Sequence, residues 1–205
     1  MGIYNDQLLP RFTDAMCGSK AMEDDRRGAT AGLSGVILEI GFAGGPNLPC
    51  YPAEVTKVLA VEPAGIAPKL AAKRLATSSI EVEFIGLDGQ SIPLGDQSCD
   101  GALSTFTLCT VPDPMKALSE IRRILKPGGE LHVLEHGLAP DEKTQRWQKR
   151  FNGFERFACG GCELIRDVPH MLTEAGFEIL ELEQRFAKGP RPWSYFTTAV
   201  ARPRD

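Results

Sequence analysis

The sequence has no apolar run approaching the roughly 18 residues of a membrane span. It also has no excess of basic charge. The net charge is -4, and no clustered cationic face calls for a nucleic-acid partner. The opening MGIYNDQLLPRF lacks a basic region followed by an apolar stretch, so no signal peptide is expected. Asp6 breaks the myristoylation pattern. A cytoplasmic protein is expected. Cysteine is present without a framework. Of Cys17, Cys50, Cys99, Cys109, Cys159 and Cys162, only the last two are close in sequence. Without a secretory signal these read as reduced thiols, mostly small core residues. A single CxxC pair supplies half of a tetrahedral zinc site, so no metal is expected.

The chain does have an α/β rhythm. Its 205 residues suit a single domain, 42% hydrophobic and 24% charged. Residues 1–32 read as a mixed helical segment interrupted at Pro10. Five short apolar stretches follow, each bounded by turn residues: VILEIGF, KVLAVEP, VEFIGLD, DGALSTFTL and GELHVLEH. Between the last two, DPMKALSEIRRILKPGG carries an apolar helical face through Ala117, Leu118, Ile121 and Ile124. Alternation of this kind predicts a parallel sheet covered on both faces. Residues 138–175 read as a helical insertion over the acceptor side. The chain closes on EILELEQRF and SYFTTAVARP, an antiparallel pair.

Ligands of open α/β sheets bind beyond the carboxyl ends of the strands. There the first strand runs into GFAGGPNLP. A dinucleotide site needs a third glycine, and Pro46 stands in its place. A sulfonium methyl donor carries no phosphate; it needs close backbone approach and acids for its amine and ribose. Gly41, Ala43 and Gly45 supply the turn. Glu39 suits the amine, and Glu62 with Pro63 suits the ribose. Asp88 with Gly89 ends the third strand, towards the adenine. An acid at one strand end is commonly a cap or a loop solvator; here three fall on consecutive strand ends.

On the stretches VILEIGFAGGPNLPCYP, LSTFTLCTVPDP, ILKPGGELHVLEHG and RWQKRF…GGCELIRD, the chain resembles the class I S-adenosylmethionine-dependent methyltransferases. It is most similar to the branch of the thiol methyltransferases and their bacterial relatives. The resemblance implies a Rossmann-like fold with a seven-stranded sheet in the order 3-2-1-4-5-7-6, the last strand antiparallel. It implies S-adenosyl-L-methionine as cofactor and a small-molecule acceptor, with a thiol favoured and a phospholipid amine, quinone or phenol as alternatives. A fold that binds the donor without catalysis is a further alternative. Membrane-anchored members of the branch carry an apolar N-terminal segment that these first residues do not show. The usual acid-x-Gly-x-Gly-Ser/Thr-Gly is altered here, with Ala43 and Gly44 at its fifth and sixth positions.

Ser104 and Thr105 fall where such enzymes touch the donor. His136 is the candidate base or orienter for the acceptor, against a simple loop hydrogen bond. Thr107, Cys109, Trp147 and Cys162 are candidate acceptor contacts, with a core role as the competing reading. Trp147, Phe151 and Phe154 share one helical face, expected to be core before substrate wall. The cations interleaved with them suit a solvated face, and also a helix lying on a membrane surface.

Overall fold

A computed structural model describes residues 4–204. The N-terminal segment is a π-helical turn Tyr4–Leu8 and two helices, α1 (Leu9–Cys17) and α2 (Glu23–Thr30), with a 3-10 turn Lys20–Met22 between them. Pro10 does not interrupt a helix. It lies in the first turn of α1, where its missing N–H costs nothing. There follow β1 (Gly35–Ile40), β2 (Val55–Val61), α3 (Ala67–Thr77), β3 (Glu81–Gly86), β4 (Cys99–Thr105) and α4 (Pro114–Ile124). The chain ends with β5 (Leu125–His136), α5 (Glu142–Ala158), α6 (Val168–Glu174), β6 (Phe177–Phe186), α7 (Arg191–Ser194) and β7 (Tyr195–Pro203).

The seven strands form one sheet in the order β3-β2-β1-β4-β5-β7-β6. Strands β1 to β5 run parallel, and β7 is antiparallel to both its neighbours. Adjacent residues of β1 feed opposite faces. Leu38 and Ile40 pack with Leu118, Ile121 and Ile124 of α4 and Leu172 of α6. Ile37 packs with Ala29 of α2 and Ala71 of α3. Burial on both faces is why these strands read as continuous apolar runs. Strand β5 starts earlier than KPGG suggests, because Leu125 already pairs with Cys99 and Pro127 keeps Lys126 extended.

The expected insertion over residues 138–175 divides. Its second helix, α6, is part of the core below the sheet, packed on α4. Only α5 and the connection after it lie at the carboxyl ends of the strands.

Candidate active site

Strands β1, β2, β4 and β5 end at Ile40, Val61, Thr105 and His136, and the loops beyond them meet where strand order reverses, the place where open α/β sheets bind ligands. The β1 loop is held by its own backbone. Gly41 has φ +75 and Gly45 φ +73, conformations that favour glycine. A side chain at residue 41 would collide with Thr107, and one at residue 45 would come 2.9 Å from the Phe42 ring. Ala43 also lies in the left-handed region, at φ +48, and its N–H donates to Glu62 at 2.6 Å. At Gly44 a Cβ would collide with the carboxylate of Asp14 in α1. The departure from Ser/Thr at this position therefore makes room for the N-terminal helix. Asp14 and the Gly44 carbonyl are both bound by Arg74, at 2.9 and 2.7 Å.

Two acids on adjacent strands hold this loop from different sides. Glu39 is wholly buried. Its carboxylate accepts from Asn47 Nδ2 at 2.8 Å and from the Tyr51 hydroxyl at 2.6 Å. Burial raises it to about 7, with the Tyr51 and Asn47 hydrogen bonds pulling the other way. By its strand-end position Glu39 is expected at the donor's amine. The structure sets it behind the loop, because Asn47 and Tyr51 fold back over it. Glu62 is 8% exposed and bridges Ala43 N–H and Ala64 N–H, the latter at 2.8 Å. Burial raises its pKa against those two backbone bonds. Pro63 beside it is exposed. Asp88 is exposed at the rim and accepts from the backbone and side chain of Gln90, which lowers its pKa. Gly89 packs over Ile40, at the end of β1.

The β4 loop is built on a carboxylate that sequence reasoning left without a role. Glu135, wholly buried in β5, accepts from the Ser104 hydroxyl at 2.7 Å and from three consecutive backbone N–H groups, Thr107, Leu108 and Cys109. Its only sequence signal was its place in LEHG. Ser104 is thereby committed to the interior. Thr105 accepts from Arg26 at 2.9 Å and from Asn47 at 3.0 Å. Neither hydroxyl opens outward as expected, since each satisfies a buried partner. Arg26, 3% exposed in α2, also binds Asn47 Oδ1 at 2.6 Å and the Cys17 carbonyl. It ties the N-terminal segment to both loops, and nothing in a mixed polar stretch announced it.

Beyond Thr105 the chain turns through Phe106 at φ +53, a second non-glycine residue in the left-handed region. Its ring lies 5.0 Å from His136 and 5.2 Å from Phe196, which itself lies 5.2 Å from His136. This aromatic setting pushes His136 down to about 4 by burial, and Nδ1 has no partner among the described residues. The imidazole is therefore neutral near pH 7, the form that can accept a proton or orient a ligand, and burial makes it a weaker base than a free histidine.

Two of the four expected acceptor contacts are buried against each other. Cys109 and Cys162 are 2% and 5% exposed, their sulfurs 3.6 Å apart, packed with Leu164. Burial and mutual contact hold the Cys109 thiol protonated. Trp147 lies on the outer side of α5, stacked on Phe151 in a groove of about 600 Å³ shared with Arg191 and Pro192. The inner side of α5 is polar, contrary to expectation, because its side chains bond loop backbone and the Trp193 indole. Gln148 bonds Ala139 and Gly137, Asn152 bonds Leu164, and Glu155 accepts from Trp193. Thr107, half-buried, packs over Gly41 of the β1 loop. Among the described residues no group of three or more metal-ligating side chains forms, the CGGC pair included.

The sheet order and the matching domain family define the class, an α/β methyltransferase fold that takes S-adenosylmethionine. The methyltransferase domain family matches residues 38–133. Thiol S-methyltransferase TMT1B of Homo sapiens is 30% identical over 184 residues, covering 87% of this chain and 75% of that protein. Its Rattus norvegicus counterpart is 33% identical over 151 residues, covering 72% of this chain and 62% of that protein's length. A SAM-dependent methyltransferase from Thermotoga maritima shares the fold, with a TM-score of 0.69 at 20% identity over 98% of each chain. The chain belongs to the class I S-adenosylmethionine-dependent methyltransferase family, alongside these thiol S-methyltransferases. No described helix is long and apolar enough to cross a membrane.

Proposed function

We propose that the protein transfers the methyl group of S-adenosylmethionine to a small-molecule thiol. The observation that carries this reading is that burial leaves His136 a weak base, neutral down to about 4, while Glu135 is committed to Ser104 and the β4 loop. Such a site favours an acceptor that ionises by itself. A thiol, with a pKa near 8.5, supplies a few per cent of thiolate at pH 7; a phenol near 10 supplies far less. The thiol-methylating relatives point the same way.

The residues present fit the donor. The loop from Gly41 to Pro46 offers bare backbone and no phosphate cradle, and Glu62 stands at the end of β2 with two acceptor oxygens for a vicinal diol. The bound donor supplies an electrophilic methyl on a sulfonium. The chain's own share is alignment. Glu62 positions the ribose, Phe106 and Phe196 exclude water, and His136 Nδ1 orients the acceptor. Charge is lost as thiolate and sulfonium react, so a dry aromatic wall favours the step.

A pH–rate profile with a simple thiol tests this. The rate rises to the thiol's own pKa and then flattens, with no inflection near 6.5 from a histidine. A histidine-like inflection, or a profile unchanged between thiols of different pKa, contradicts it.

A further inference from the structure

Two helices present apolar side chains outward while their inner faces make the contacts that hold them. Along α1, which has no buried residue, and the turn before it, Leu8, Phe12 and Met16 recur every fourth position and are 55%, 54% and 60% exposed. On α5 the inner face is the polar one described above, and Trp147, Phe154 and Phe157 are 46%, 64% and 83% exposed. The two helices are joined. The Tyr4 hydroxyl donates to the Ala158 carbonyl at 2.6 Å, and Leu9 packs over Gly160 just beyond α5. Lys143, Arg146 and Arg150 are exposed on the same side of α5 as its aromatics, with Arg156 further on and Arg11 in α1. The chain as a whole is acidic, at -4.

We propose that this face docks the protein peripherally on an anionic lipid surface. Rings and long aliphatic side chains on the outer side of a helix, interleaved with cations, suit the boundary between headgroups and acyl chains. The rings enter the boundary layer, and the cations meet lipid phosphates and carboxylates. Charge complementarity selects the occupant: a second copy of an acidic chain would set these cations against one another across a two-fold axis. Docking here is independent of the acceptor's identity.

The test is co-sedimentation of the full chain with vesicles of phosphatidylcholine alone and of phosphatidylcholine doped with phosphatidylglycerol. Binding is expected to the anionic vesicles, weakened by salt. Replacing Phe154 and Phe157 by serine should weaken it about tenfold for each ring. Charge reversal as Arg146→Glu with Arg150→Glu should abolish it, and this second variant keeps the rings in place. Melting temperatures close to that of the unaltered protein confirm that both variants are folded. The proposal is overturned by no binding to anionic vesicles, by equal binding to neutral ones, or by variants that bind like the parent. It is equally overturned if lipid-free protein is a dimer that either variant converts to monomer.

Discussion

Ala43 holds a backbone conformation that costs alanine about 1 kcal/mol, and it does so while donating to Glu62. Ala43→Gly relieves that strain but loosens the unfolded chain by about 0.4–1 kcal/mol. Unfolding stability should therefore change by less than about 1 kcal/mol, and donor affinity should be equal or tighter by at most about tenfold. Calorimetric titration checks both limits, and a weaker donor complex contradicts the reading. Glu39 makes a second residue-scale prediction. Raised to about 7 by burial, it is part protonated at neutrality. A cationic donor favours the carboxylate, so binding should expel a proton. Affinity should then rise with pH up to about 7 and level off above it. Glu39→Gln should flatten that dependence; a flat profile in the unaltered protein rules the coupling out. Both residues stood out in the sequence, as did Glu62. Their division of labour did not, because a carboxylate aimed at a ligand and one aimed at a loop share the same strand-end position. Arg26, Asn47 and Tyr51 gave no signal at all, since a buried polar network depends on contacts between residues distant in sequence.

At the scale of elements, the strands were the most legible part. Short runs closed by turn residues gave all seven, apolar and buried on both faces in the central strands but largely exposed in β3 and β6, with shifts of a few residues at their ends. The helices at the strand ends were legible as helices but not in orientation. Trp147, Phe151 and Phe154 mark a face by spacing, and spacing cannot say which face turns inward. Here the decision falls to polar satisfaction: Gln148 and Asn152 close hydrogen bonds to loop backbone and Glu155 to the Trp193 indole, about 1–3 kcal/mol apiece if a buried partner were left bare. The connection after α5 carries Cys159, which packs beside Cys109, Cys162 and Trp193 with its thiol pushed up to about 12. A thiol held protonated and outside any metal-ligating group is expendable. Cys159→Ser should leave methyl transfer nearly unchanged, as measured by turnover. Stoichiometric zinc in the purified protein, lost on that substitution, would show otherwise.

The whole molecule is a seven-stranded sheet with four strand ends gathered on one side and the N-terminal helices fastened to the loops there. Asp14 and Arg26 make that fastening, and Gly44 leaves the space for it. The dinucleotide alternative fails here on the same feature the sequence showed: Pro46 has no N–H to offer a pyrophosphate. The acceptor is the part least visible at every scale, because the residues expected to contact it are buried in pairs or lie on the outer side of α5. The most direct measurement is transfer of a labelled methyl group from S-adenosylmethionine to a panel of one small thiol, one phenol, one primary amine and phosphatidylethanolamine, with products identified by mass. The account predicts a thioether from the thiol, with the other acceptors slower by at least an order of magnitude. Methylation of the amine, phenol or phospholipid with the thiol inert would contradict it.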